Sequence, residues 1–114
     1  FTLNTDKLRL QQVLINLVGN AAKFTREGFI ELAYSIDRKK GQVRFTVTDT
    51  GCGIPADKQD TIFERFEKLN EHVQGTGLGL SICRIIAERF NGEVMLDREY
   101  TGGARFIFTH ALTL

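Results

Sequence analysis

One long amphipathic segment near the start of the chain constrains what the rest can form. Leu10, Val13, Leu14, Leu17, Val18 and Ala21 recur at helical spacing, Thr5 or Asp6 offers an N-cap, and Gly28 breaks the pattern. The spacing predicts a helix running to about Phe24, with an apolar stripe that must be buried against a second layer. Its polar side is informative as well. Asn16 and Asn20 lie one helical turn apart, and Lys23 follows on the same face. Amide carbonyls are oxygen ligands for Mg2+, and a lysine neutralises phosphate charge. Alone, the stripe reads equally well as a polar helix face with incidental asparagines.

Downstream of Gly28 the period changes. Ile30, Leu32, Tyr34 and Ile36 alternate along a strand over 29–36, and residues 37–41 make a turn. Val43, Phe45 and Val47 alternate along a second strand, which completes an antiparallel hairpin. Asp49-Thr50-Gly51-Cys52-Gly53-Ile54-Pro55 cannot be regular structure. A short helix is expected over 56–63, then a polar loop leading into Gly75-Thr76-Gly77-Leu78-Gly79-Leu80. Leu80, Ile82, Cys83, Ile85, Ile86 and Phe90 predict another helix, stopped by Asn91-Gly92. Strands are expected over 93–98 and 104–110, and a short one over 1–3. The order β-α-β-β-α-α-β-β predicts a two-layer α+β sandwich. Its mixed, mostly antiparallel sheet would be covered on one face by about three helices, leaving the other face more exposed.

The 114 residues make one domain, and the net charge of +1 gives no electrostatic case for nucleic acid or an anionic membrane. No apolar run approaches the length of a membrane span. The chain opens on Phe1 without a methionine and is expected to be a piece of a longer protein. Cys52 and Cys83 have no metal-type spacing and read as reduced thiols in a cytosolic protein. Neither histidine has a nucleophile or metal-type partner close by in sequence. His72 and His110 are expected to be ordinary loop and strand residues.

Three further segments carry chemistry. Gly75-Thr76-Gly77-Leu78-Gly79 before a helix offers unobstructed backbone N–H groups at a positive helix terminus, which favours phosphate. Its spacing is neither the dinucleotide fingerprint nor a P-loop. Asp49 at a strand end, followed by glycines, can accept from an exocyclic amine such as adenine N6 while Gly51 and Gly53 admit the ring. Asp-Thr-Gly is also the aspartic-protease signature, but those proteases are almost all β and this chain commits two long helices. Phe63-Glu64-Arg65-Phe66 supplies aromatic anchors for a mobile lid and an arginine for a terminal phosphate.

In this order the segments Asn16-x-x-x-Asn20-Ala-x-Lys23-Phe-Thr, Asp49-Thr-Gly-Cys-Gly-Ile-Pro, Phe63-x-x-Phe66 and Gly75-Thr-Gly-Leu-Gly-Leu-Ser resemble the N, G1, F and G2 boxes of sensor histidine kinases. The resemblance runs from about Asp6 to Phe108 and points to the catalytic, ATP-binding domain, in the GHKL superfamily with DNA gyrase and the mismatch-repair ATPases. It implies that Asn20 ligates Mg2+, Asn16 lies against the phosphates and Lys23 pairs with them. Asp49 would accept from adenine N6, with Gly51, Gly53 and Ile54 lining the base. Arg65 would reach the γ-phosphate. Phe24, Phe63, Phe66, Gly75, Thr76, Leu78 and Leu80 would complete the ATP site, residues 67–76 the lid, and Gly77 and Gly79 its phosphate-side hinge. Asn16, Lys23 and Arg65 would be the catalytic set.

Asn16 also bears on the reaction. Related ATP-splitting enzymes carry a glutamate base in the equivalent position, and an amide cannot act as a base at neutral pH. Such a site should hydrolyse ATP poorly and await another nucleophile. Two positions depart from the family pattern: Phe24, where Tyr is frequent, and Ala104, where Ser or Thr is common. The family's phosphoacceptor histidine sits on a separate dimerising helical hairpin, and no such hairpin is in this sequence. The expected partners are that hairpin domain and a response-regulator receiver domain, with no nucleic acid and no direct membrane contact. The expected location is the cytoplasm, within a parent that is free to be an inner-membrane sensor. Alternatives are an ATP-binding regulatory module without turnover, and a serine kinase of the anti-sigma type.

Overall fold

In the computed structural model, which describes residues 3, 5–25, 27–54, 59 and 79–113, helix α1 spans Lys7–Phe24. Asp6 caps it, its side chain accepting from the Arg9 N–H at 3.3 Å. Lys23 stands in the last turn, where the helix dipole favours a cation. The apolar stripe does what its spacing demands: Val13, Leu17 and Ala21 are buried, and Leu10, Leu14 and Val18 pack at the edge of the same core.

Strands β1 (Ile30–Asp37) and β2 (Gln42–Asp49) form the expected hairpin, in register from Ile30 opposite Asp49 to Asp37 opposite Gln42. Helix α2 (Gly79–Arg89) follows, and Asn91, at φ 54°, takes the left-handed conformation that ends it. Strands β3 (Val94–Leu96) and β4 (Arg105–Ala111) complete a sheet of order β1-β2-β4-β3. Every ladder among these strands is antiparallel, so the parallel pairing allowed for in a mixed sheet is not found among the described residues. β3 is shorter than expected because Asp97 starts a turn. Its carboxylate accepts from the Glu99 N–H at 3.1 Å and its carbonyl from the Tyr100 N–H at 3.3 Å. The helix expected over 56–63, apart from Gln59, and most of the strand expected over 1–3 lie outside the described residues.

Strand alternation sends Val43, Phe45 and Val47 toward the helices, opposite Phe106, Phe108 and His110 on β4. An aromatic row crosses this face from Tyr34 to Phe45 (centroids 6.4 Å apart), on to Phe108 (5.5 Å), then Phe90 of α2 (6.4 Å). His110 ends the row, buried and stacked on Phe90 at 4.4 Å. A carbonyl can only accept, so Nδ1, 2.6 Å from the Ala111 carbonyl, carries a proton, and Nε2 shares a hydrogen bond with the Thr5 hydroxyl at 2.7 Å. This residue is therefore part of the core, tying the segment before α1 to β4. On the opposite face Glu31 and Ser35 of β1 are exposed, whereas Thr48, Ile107 and Thr109 at the sheet centre are buried; Leu32 and Tyr34 leave the helix face exposed at this edge of the sheet. No helix among the described residues is long and apolar enough to cross a membrane.

Candidate nucleotide site

Asp49 is the last residue of β2, directed to the helix side, and only 2% exposed. A buried carboxylate must be hydrogen-bonded, and two backbone donors meet this one. The Gly51 N–H reaches Oδ1 at 2.9 Å and the Ala104 N–H reaches the same oxygen at 3.2 Å. Asp49 in turn donates its own N–H to the Ala104 carbonyl at 2.8 Å. Both carboxylate bonds fall on Oδ1, and Oδ2 accepts none from a described residue. The arrangement holds one oxygen and leaves the other for a donor. Ala104, where a hydroxyl residue is common in the family, contributes to this through its backbone.

Glycine is required on both sides of that contact. A Cβ at Gly103 would lie 2.1 Å from the Asp49 carbonyl oxygen. Gly53 has φ +72°, and a Cβ there would stand 3.1 Å from the Gly103 carbonyl oxygen. The loop after β2 and the β3–β4 connection are thus pressed together, beside a cavity of about 280 Å3 lined by Cys52, Gly53, Ile54, Tyr100 and Ala104 among others.

Helix α1, which carries the amides, packs on the core that also holds the Ala104 side of this contact. Leu17 and Ala21, which flank Asn20 in the helix, share one packed cluster with Leu80, Ala104 and Ile54. Asn16 and Asn20 are half-buried and Lys23 is exposed. The Cys83 thiol of α2 donates to the Val13 carbonyl of α1 at 3.8 Å, and burial pushes that thiol up to about 11, a rise that the Asn16 carboxamide partly opposes. Two residues past Lys23, the buried Thr25 hydroxyl finds no partner among the described residues. Phe24 closes α1, Gly79 opens α2, and Leu80 is in the core. Phe63, Arg65, Phe66, Gly75, Thr76, Gly77 and Leu78, the lid over 67–76 and His72 lie outside the described residues. Among the described residues no group of three or more His, Cys, Asp or Glu side chains could hold a metal ion. Neutral amides such as those of Asn16 and Asn20 suit a cation that arrives already bound to phosphate.

Motif spacing missed one participant. The Tyr100 hydroxyl donates to the Asp49 carbonyl at 3.2 Å, from the β3–β4 connection. No motif marks Tyr100, because only the folded hairpin brings it to Asp49.

The match to known proteins is extensive. Residues 5–114 match the family model described as histidine kinase-, DNA gyrase B-, and HSP90-like ATPase. The adaptive-response sensory kinase SasA of Nostoc sp. is 42% identical over 106 residues, covering 91% of this chain and 26% of its own length. The sensor histidine kinase RcsC of Escherichia coli K12 is 42% identical over 108 residues, 91% of this chain and 11% of its own. The chain thus spans about a quarter of the first relative and about a ninth of the second. Among solved structures, the catalytic domain of histidine kinase ThkA superposes with a TM-score of 0.84 at 35% identity, over 98% of this chain and 73% of that one. Full-length ShkA, in complex with AMPPNP, gives a TM-score of 0.83 at 40% identity, over 99% of this chain and 24% of that one. The chain belongs to the histidine kinase-, DNA gyrase B- and HSP90-like ATPase family, and within it is an ATP-binding domain of the sensor histidine kinase type.

Proposed function

We propose that this domain binds Mg-ATP and donates the γ-phosphoryl group to a histidine on a separate, dimerising helical domain, with a response-regulator receiver domain accepting it next. The observation that carries the reading is Asp49, buried, fixed through Oδ1 by two backbone donors and left with an acceptor at Oδ2. That oxygen accepts from adenine N6, and Gly51, Gly53 and Ile54 line the base. Asn16 and Lys23 face the phosphates from α1, Asn20 supplies an oxygen to the cation, and Arg65 reaches the γ-phosphate. Phe24, Phe63 and Phe66, and Gly75 to Leu80, complete the enclosure. When bound, Mg2+ offsets phosphate charge and orients the chain of phosphates.

The acceptor imidazole brings its own lone pair, so the domain's task is to position and polarise rather than to remove a proton from water. The new N–P bond forms as the bond to the bridging oxygen breaks, and ADP leaves with that electron pair. Asn16, an amide, leaves no base for attack by water. The names of the relatives, sensory and sensor histidine kinases, support histidine as the acceptor over serine. The site works in the cytoplasm, in a parent that is either soluble or membrane-anchored. Mixed with dimerising hairpins that carry a phosphoacceptor histidine, the chain should transfer label from γ-labelled ATP to one of them in a Mg2+-dependent, acid-labile form. Failure with every matched hairpin, by a chain that binds ATP, would replace the kinase reading with that of a regulatory ATP module.

A further inference from the structure

We propose that Tyr100 is a positioning residue for Asp49, holding it from the β3–β4 connection and thereby setting the domain's preference for adenine. The inference rests on Asp49 being the base acceptor. By strand alternation the Thr48 side chain lies on the face opposite Asp49, and Thr48 is the register partner of Arg105 on β4. Arg105 Nε donates to the Thr48 hydroxyl at 3.0 Å, and its Nη1 meets the Asp97 carboxylate at 3.5 Å. With its guanidinium so held, Arg105 sits 4.4 Å from the centroid of the Tyr100 ring, a cation–π contact that fixes the ring. The hydroxyl at the end of that ring donates to the Asp49 carbonyl.

The backbone leaves the ring little freedom. Asp97 donates its N–H to the Arg105 carbonyl at 2.8 Å, and the Tyr100 N–H bonds back to the Asp97 carbonyl. A Cβ at Gly102 would come within 2.8 Å of the Tyr100 hydroxyl oxygen. The base acceptor is therefore held on its helix-facing side by the Gly51 and Ala104 amides, and through its carbonyl by a tyrosine that Arg105 clamps. Loss of the hydroxyl leaves that peptide held only through the Thr50 N–H, which donates to the Phe29 carbonyl at 3.2 Å, so the peptide can tilt about that bond and move Oδ2 relative to the base. Phosphate contacts on α1 are untouched.

Tyr100→Phe removes only the hydroxyl and keeps the ring under Arg105. Titrated calorimetrically with AMPPNP and its guanine counterpart in Mg2+ buffer, this variant should bind the adenine analogue about three- to tenfold more weakly, the range of one net hydrogen bond. Its adenine-to-guanine affinity ratio should fall while its denaturation midpoint holds. Arg105→Met, which frees the ring, should lower the ratio in the same direction. A ratio equal to that of the parent chain, whether or not the midpoint drops, overturns the proposal and makes Tyr100 a structural residue. Asp49→Asn is the reference arm, because it places a donor where N6 would need an acceptor. If Asn at this position also leaves the ratio unchanged, the base-acceptor assignment itself fails; if it erases the ratio while Tyr100→Phe does not, only the positioning role fails.

Discussion

Two cysteines show how far one residue's surroundings decide its chemistry. Cys52 is exposed beside the cavity next to Asp49, whereas Cys83 is buried between α2 and α1. Burial is the main reason the Cys83 thiol rises from its ordinary value of 9.0 to about 11, and the Asn16 carboxamide partly opposes the rise. A folded-state value above the unfolded one gives a stability contribution that is whole below pH 9.0 and lost as pH climbs toward about 11. The parent chain should therefore lose more stability than Cys83→Ala across that window, read as the denaturation midpoint against pH. Parallel curves would contradict the burial described for this thiol. None of this was legible from the sequence, where both cysteines read alike as reduced thiols. Exposure depends on which helix face meets which, and a single thiol has no periodicity to report it.

Among the elements, legibility followed periodicity. α1 ends at Phe24 as its stripe indicates, and the β1–β2 hairpin has the alternation that the sequence displays. Where a local turn competes with a strand pattern the reading failed, as at Asp97, whose side chain and carbonyl close β3 after three residues. His110 was equally opaque: its strand was evident, but its partners Thr5 and Phe90 come from distant segments. Close approach between elements is another feature that spacing does not disclose. Gly92, between α2 and β3, lies so near β4 that a Cβ would sit 1.8 Å from the Thr109 carbonyl oxygen. Gly92→Ala should destabilise the chain by about 3 kcal/mol, because backbone has to move. Gly19, exposed on α1 with nothing within 4 Å, is the control, and Gly19→Ala should stabilise by about 0.5–1 kcal/mol. Chemical denaturation of both variants checks the pair; equal effects would contradict the described packing of α2 on β4.

For the whole molecule, the architecture joins α1, α2 and the end of β2 into one core cluster. Asn16, Asn20 and Lys23 come from the first helix and Asp49 from the sheet, so two of the four separated motifs are carried by elements that this core joins. The order of motifs made the family legible, and the helix and strand patterns made the two-layer fold legible. The strand order β1-β2-β4-β3 and the brace of Tyr100 and Arg105 behind Asp49 required the folded chain. The site proposed for this chain takes a magnesium-linked adenine nucleotide. Calorimetric titration of the chain with AMPPNP, with and without Mg2+ and against the guanine analogue, tests it directly. Binding that strengthens with Mg2+ and prefers adenine is the expected result. No binding by a chain shown to be folded, or equal affinity for the two bases, would contradict it.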